Sequence, residues 1–282
     1  MTARVVLTGA SGFVGRTVLP MLEAQGCSVL VLGRADSSRA PSVVVDAIRS
    51  FDPDVVVHLA THFLSAHSPD DIPDLIRTNV EWGAVVAEGA LAAGARLVNT
   101  GTAWQHLDGH AYDPVSLYAA TKQALEVILD YYVRVRGLEA TTVTLFDTYG
   151  PSDPRAKLIP LLLRAARTGV PLEMSDGEQL IDLTYVDDVA RGIVSLALAD
   201  HPPPSGVLRS WAPRSIRSLV SEIETAIGVQ VPVVWGARPS RDREMRQDWV
   251  FGSSPAGWEP QVVLAEGLRR TWDAYVDGPE TP

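Results

Sequence analysis

The sequence predicts an α/β protein built on a doubly wound parallel sheet, with a smaller C-terminal lobe. Three observations carry that expectation. An apolar run, Val5 to Leu7, leads into three glycines spaced Gly9, Gly12 and Gly15, and a helix pattern then runs from Phe13 through Val18 to Leu22. Near-continuous Val/Leu runs alternate with helical stretches through the first half, as strands buried on both faces do. After Gly150-Pro151 the rhythm changes to proline, arginine and short segments.

Taken in order, Val5 to Leu7 is the first strand, and Val29 to Leu32 and Val55 to Leu59 are later ones. A helix is expected over Asp74 to Ala93, a strand over Arg96 to Thr100, a helix over Leu117 to Arg136 and a strand over Thr141 to Phe146. Only Gly33 to Asp54 separates the second strand from V-V-V-H-L. That is short for a strand, a crossover and a helix, so Val43 to Val45 is either a stub of a third strand or the start of the helix. A returning helix covers about Val186 to Ala199. The expected division is therefore 1–150 plus about 183–200 for the larger domain, and about 151–182 plus 201–282 for the smaller lobe.

Composition bounds the function. The chain has 282 residues, 46% of them apolar and 21% charged, which suits a folded core rather than long disorder. A net charge of -10 opposes nucleic acid or an anionic membrane as partner. The single cysteine, Cys27, excludes an internal disulfide and a cysteine-based zinc site, and no metal is expected. The apolar run at the start is short and ends in the glycines, so it is neither a signal peptide nor a membrane span, and a cytoplasmic protein is expected.

The glycine spacing has a specific physical use. Gly9 permits a tight turn, Gly12 lets backbone amides approach a pyrophosphate, and Gly15 allows close helix–strand packing, while the helix N-terminus offers free N–H groups to phosphates. Placed between a strand and a helix, the motif points to a dinucleotide. Further on, Tyr118 and Lys122 stand four apart in L-Y-A-A-T-K, on one helix face. A cation near a partly desolvated phenol favours phenolate and brings its pKa down from about 10, giving an acid–base group for a carbinol oxygen.

Eight motifs occur in order: T-G-A-S-G-F-V-G, H-L-A at His58 to Ala60, Asn79-Val80, Y-A-A-T-K, Y-G-P at Tyr149 to Pro151, D-G-E-Q at Asp176 to Gln179, Y-V-D-D-V-A at Tyr185 to Ala190 and G-W-E-P at Gly257 to Pro260. The series resembles the extended short-chain dehydrogenase/reductase family, which implies a Rossmann-like fold. Within it, N-T-G-T-A-W-Q-H followed by Y-A-A-T-K-Q is most similar to nucleotide-sugar 4-ketoreductases, including paratose and abequose synthases and deoxysugar enzymes of antibiotic pathways.

The resemblance implies roles residue by residue. Thr102 matches the serine or threonine that bonds the sugar C4 oxygen, Tyr118 the acid–base and Lys122 its activator, with Tyr118 and Lys122 also binding the coenzyme, Lys122 at its ribose hydroxyls. Gly9, Ser11, Gly12, Phe13, Val14 and Gly15 fall at the pyrophosphate, Leu59, Ala60 and Thr61 along the path to the nicotinamide, and Asn79 in support. On the substrate side fall Trp104, Asp147 and the arginines Arg241 and Arg243. Two departures narrow the chemistry. Ala103 and Trp104 stand where dehydratases carry an Asp-Glu pair, and Cys27 cannot match the cysteine of the multi-carbon epimerases. Ile181 replaces an arginine before Asp182, and Asp147 replaces an asparagine.

Coenzyme choice turns on the end of the second strand, V-L-G-R-A-D-S-S-R. Arg34 with Ser37 suits a 2′-phosphate, although Asp36 could compete for the ribose, and NADP(H) is favoured over NAD(H). The leading expectation is NADPH-dependent reduction of the C4 ketone of a nucleoside-diphosphate 4-keto-6-deoxyhexose. The alternatives are an NAD-dependent C4 epimerase and a non-catalytic NAD(P)-binding sensor. Resemblance also implies a homodimer, through a four-helix bundle formed from about Asp74–Ala93 and Leu117–Arg136.

Overall fold

The computed structural model describes residues 2–107, 109, 111–248 and 252–278; the last four positions of the expected second lobe lie outside them. In chain order the elements are β1 (Arg4–Thr8), α1 (Gly15–Ala24), β2 (Ser28–Leu32), α2 (Pro41–Phe51) and β3 (Val55–His58). Next come α3 (Ile72–Ile76), a π-helical turn (Arg77–Glu81), α4 (Trp82–Ala93), β4 (Arg96–Thr102), α5 (Leu117–Arg136), β5 (Ala140–Leu145) and β6 (Asp147–Tyr149). After these follow α6 (Leu158–Thr168), β7 (Leu172–Glu173), β8 (Leu180–Ile181), β9 (Leu183–Tyr185) and α7 (Val186–Leu198). The chain closes with β10 (Ser205–Leu208), β11 (Arg214–Ser215), α8 (Ile216–Ile227), β12 (Val233–Val234) and α9 (Leu264–Asp277).

Six strands form one sheet in the order β10-β5-β4-β3-β1-β2, and every pairing in it is parallel. The period-2 alternation of side chains splits the buried residues of each strand between two cores. Val5, Leu7, Val55, Val57 and Val98 pack with Val18 and Leu22 of α1 and Val189 and Ile193 of α7. Val6, Val56 and Leu97 face the other way, onto Val44 and Ile48 of α2, Val86 of α4 and Leu125 of α5. The sheet is thus covered on both faces, as a doubly wound fold requires.

Segment 33–54 resolves in favour of the helix. A short 3-10 turn over Asp36–Ser38 leads into α2, whose first residue is Pro41, so Val43 to Val45 are helical and β2 stands at the sheet edge. The expected helix over 74–93 is broken into three by the π turn, because the bulge rotates Asn79 inward, where it is buried. The ends of α5 follow local chemistry: Ser116 Oγ accepts from the Ala119 N–H, and Gly137 takes φ 77° past the last turn.

A third core joins α6, α8 and α9 through Ile159, Leu163, Ile216, Leu219, Ile223 and Leu268, with Tyr149 and Tyr185 at its edge. Two of the sequence motifs meet in space and serve the fold. Trp258 Nε1 donates to the Asp188 carbonyl, and the Asp188 carboxylate accepts from the Gln261 and Val262 amides and pairs with Arg191. Among the described residues no helix is long and apolar enough to cross a membrane.

Candidate active site

The glycine turn is as tight as its spacing implies. Gly9 has φ 74°, and a Cβ there would lie 2.5 Å from the Ala60 nitrogen. A Cβ on Gly15 would lie 2.1 Å from the Gly9 carbonyl oxygen, while the Gly12 N–H closes the turn onto that same oxygen at 2.9 Å. No acidic residue occupies the first turn of α1. The cradle thus leaves backbone and a helix N-terminus facing a cavity of about 510 Å³, which fits the pyrophosphate of a dinucleotide.

That cavity runs along the C-terminal ends of β1 to β5, where open parallel sheets hold ligands. Gly9, Ser11, Gly12, Phe13, Val14, Gly15, Arg34, Ser37, Leu59, Ala60, Thr61, Thr102, Trp104, Tyr118 and Asp147 all line it. At the far end Arg34 and Ser37 line the cavity and Asp36 does not. Its carboxylate accepts from the Gly33 N–H at 2.7 Å and pairs with Arg39, while the Ser37 hydroxyl donates to the Arg34 carbonyl.

At the other end Tyr118, Thr61 and Thr102 line the cavity together, and both threonine hydroxyls act to lower the Tyr118 phenol. Thr102 ends β4, and its Oγ1 accepts from the Trp104 N–H at 3.3 Å. Phe63 stands edge-on to both Tyr118 and Trp104, with ring centroids 5.1 and 5.5 Å away. Burial pushes the Tyr118 phenol up to about 12, against the lowering effect of Thr61, Arg155 and Thr102. The expectation of a tyrosine lowered by its lysine is therefore corrected. The loss of hydration outweighs the charges around it, and the phenol stays protonated at neutral pH. Lys122 lies one helical turn on, buried behind the tyrosine rather than in the cavity wall, and burial brings its ammonium down to about 8.

Asn79 also stands behind the wall. Its amide accepts from Thr61 Oγ1 and the His62 N–H and donates to the His62 carbonyl and Thr121 Oγ1. It therefore shapes the 61–62 loop that carries a partner of Tyr118. Arg241 and Arg243 line a second cavity, of about 570 Å³, together with Arg238, Met174 and Gln179. Arg243 is tied to Asp113 and to the Pro114 carbonyl, not to the neighbouring acids of its own segment. Asp182, without an arginine before it, instead receives Arg209, a fully buried guanidinium held between the rings of Phe146 and Trp211.

Five residues line both cavities: Phe63, Trp104, Phe146, Asp147 and Lys157. Lys157 escaped the sequence reading, as did Arg155, whose guanidinium sits 4.4 Å from the centroid of the Phe13 ring. A signal for Lys157 was available. The chain has two lysines, Lys122 and Lys157, against 22 arginines, and both stand at this site. Among the described residues no group of three or more His, Cys, Asp or Glu side chains could hold a metal ion.

Comparison with known proteins agrees with this geometry. Residues 5–206 match the model of the NAD dependent epimerase/dehydratase family. A UDP-glucose 4-epimerase of Mycolicibacterium smegmatis is 30% identical, over 96% of this chain and 98% of its own. A CDP-abequose synthase of Yersinia pseudotuberculosis is 26% identical over 70% of this chain and 74% of its own. Among solved structures, MoeE5 in complex with UDP-glucose and NAD superposes with a TM-score of 0.82 at 25% identity, over 97% of this chain and 98% of that one.

Proposed function

This chain belongs to the NAD dependent epimerase/dehydratase family, and we propose that it is a nucleotide-sugar 4-epimerase, inverting C4 of a nucleoside-diphosphate hexose through a transient 4-ketone. The observation that carries the proposal is the hydroxyl cluster of Thr61, Thr102 and Tyr118 at the inner end of the dinucleotide cavity, opening past Trp104 and Lys157 into a second, arginine-lined cavity. The similarity to UDP-glucose 4-epimerases over nearly the whole chain supports it.

A nicotinamide coenzyme held by the glycine turn, Leu59, Ala60 and Thr61 would supply the hydride acceptor and donor for C4. The chain's own residues do the rest. Thr102 and Tyr118 hold the C4 oxygen; Tyr118, ionised beside the Lys122 ammonium when the site is loaded, would take the C4 hydroxyl proton as hydride leaves and return it as hydride comes back. Lys122 supplies positive charge behind the phenol. The arginines of the second cavity and Lys157 hold the anionic carrier. In this proposal 1–150 with about 183–200 bind the coenzyme, and about 151–182 with 201–282 bind the nucleotide sugar. Two copies associate through α3, α4 and α5.

A second reading, NADPH-dependent 4-ketoreduction, draws on three observations. Arg34 and Ser37 line the adenosine end while Asp36 is spent on its own turn. Tyr118 is held protonated, ready to donate. The abequose synthase is among the relatives. A non-catalytic sensor has no use for Thr102, Tyr118 and Lys122 together. The test is a panel of nucleotide hexoses and nucleotide 4-keto sugars, with and without added coenzyme. Isomerisation without net coenzyme consumption supports the epimerase; stoichiometric NADPH loss on the 4-keto sugars replaces it with the reductase.

A further inference from the structure

Behind the hydroxyl cluster lies a buried polar network that the mechanism above does not use. Gln105 is 1% exposed, three residues after Thr102. Its Oε1 accepts from the Thr102 backbone N–H at 2.8 Å. Its Nε2 donates to Gln123 Oε1 at 2.9 Å and to Glu126 Oε1 at 3.0 Å. Glu126 stands four residues after Lys122 on α5, so the carboxylate and the ammonium rise from the same helix face. A Cβ on Gly101 would lie 2.7 Å from Glu126 Oε1 and 3.2 Å from Gln105 Oε1, so the strand end itself is shaped to admit this pair.

We propose that Gln105 and Glu126 are positioning residues for the Thr102–Tyr118–Lys122 group. Gln105 locks the strand end that carries Thr102 to α5, and Glu126 is the counter-charge that keeps the buried Lys122 ammonium protonated at working pH. The catalytic meaning rests on the C4 redox reading, whereas the tie of Gln105 to the Thr102 strand end and the charge of Lys122 can be measured without it.

The charges fit the geometry. Burial is the largest influence on Lys122 and acts against its charge, and Glu126 is the group that opposes it. Burial raises Glu126 in turn, with Gln105, Lys122 and His106 acting to lower it and Asp130 to raise it. From β3, His58 is held neutral by burial and by Lys122 itself, so it supplies no competing positive charge. An ammonium that is 2% exposed has little solvent to hold its proton, and the charge of a carboxylate one turn away on the same face offsets part of that loss. Gln105, with its acceptor and both donors occupied, fixes the carboxylate so that it cannot swing to solvent.

Because the chain has two lysines, the proposal can be read directly. Protein labelled with 13Cε-lysine gives two side-chain signals, and Lys157→Arg assigns them. In the otherwise unaltered protein the Lys122 signal is expected to titrate near 8. In Glu126→Gln, which keeps the shape and still accepts from Gln105, its midpoint falls by about one pH unit or more. Glu126→Asp, which keeps the charge, restores most of that difference. In turnover, the pH profile of Glu126→Gln moves by the same interval, with kcat affected and KM for the sugar nucleotide left within about twofold. Gln105→Met lowers kcat and shifts the Lys122 midpoint in the same direction, by less. An unchanged Lys122 midpoint in folded Glu126→Gln overturns the proposal. So does an equal loss in Glu126→Asp, which would make the residue a packing element. A shifted midpoint with no activity on any nucleotide sugar leaves Glu126 as the counter-charge of Lys122 and overturns the functional reading instead.

Discussion

Lys157 donates to Asp147 Oδ1 at 2.9 Å, with its ammonium 4.6 Å from the centroid of the Phe63 ring and 5.8 Å from that of Trp104. The pair stands where the two cavities join. A compact ammonium fits this point, held by one carboxylate and two ring faces while its remaining protons stay available to a ligand. The residue alone on strand-end chemistry, Asp147, would repel a diphosphate; Lys157 offsets that charge.

Lys157→Met is therefore expected to raise KM for the sugar nucleotide roughly ten- to a hundredfold, the loss of one charge-assisted contact of about 1.5–3 kcal/mol. Coenzyme affinity stays within about twofold. Lys157→Arg keeps the charge and is expected to restore most of the KM. Steady-state kinetics with coenzyme titration decides it, and an unchanged KM removes Lys157 from the substrate side.

Arg34 carries the coenzyme prediction. With Asp36 turned into its own loop, Arg34→Ala removes the guanidinium available to a 2′-phosphate. NADPH affinity should fall by roughly one to two orders of magnitude while NADH affinity changes far less. Rising salt should weaken NADPH binding in the unaltered protein more than in the variant. Equal losses for both coenzymes would make Arg34 an adenine platform, and no loss for either would make it a loop residue.

His58 gives a prediction in pH. Its Nδ1 is 2.8 Å from the Thr8 hydroxyl, and burial, with Lys122 nearby, brings its pKa down to about 3. Between about 3 and the usual 6.5 the unfolded chain binds a proton that the folded chain does not. Stability therefore rises with pH across that window and is lost as pH falls from about 6.5, at about 1.4 kcal/mol per pH unit for one proton. Urea unfolding of His58→Leu should show a shallower decline below pH 6.5 than the unaltered protein. Parallel declines in the two would show that another group accounts for the acid sensitivity.

The association proposal rests on a stripe of exposed apolar side chains. Val127, Tyr131 and Val135 follow one another at four-residue spacing on α5, and Ile72 and Ile76 repeat the pattern on α3. Sedimentation at micromolar concentration is expected to give a dimer, and Val127→Glu with Val135→Glu a monomer that still binds coenzyme. A monomeric unaltered protein contradicts the proposal.

What could be read from the sequence was whatever is decided locally. The glycine turn was legible because Gly12 and Gly15 answer to the backbone of Gly9 and Ala10 in their own turn, and α5 because Ser116 and Gly137 mark its ends. The chemistry of Thr102 and Tyr118 was legible from motif order. Other features depend on contacts distant in sequence. Whether Val43 to Val45 paired as a strand or coiled as a helix was settled by packing against α4, not by propensity. The inward turn of Asn79 depends on a π bulge that no residue type announces. The raised Tyr118 phenol follows from its burial, to which Phe63, fifty-five residues earlier, contributes an edge-on ring that the motif does not announce. Arg209 carries no local signal of burial, since Asp182 and Phe146, which enclose it with Trp211, are distant in sequence.

The most direct test of the account follows the hydrogen on C4. UDP-glucose deuterated at C4 is incubated with the purified protein, without added coenzyme and then with trace coenzyme, and the C4 epimer is examined by mass and NMR. The account predicts inversion with the deuterium kept on C4, because the hydride leaves and returns within one closed site while Tyr118 exchanges only the oxygen proton; Tyr118→Phe should show neither inversion nor label movement. Inversion with deuterium lost to water, or deuterium accumulating in released coenzyme without inversion, would contradict it.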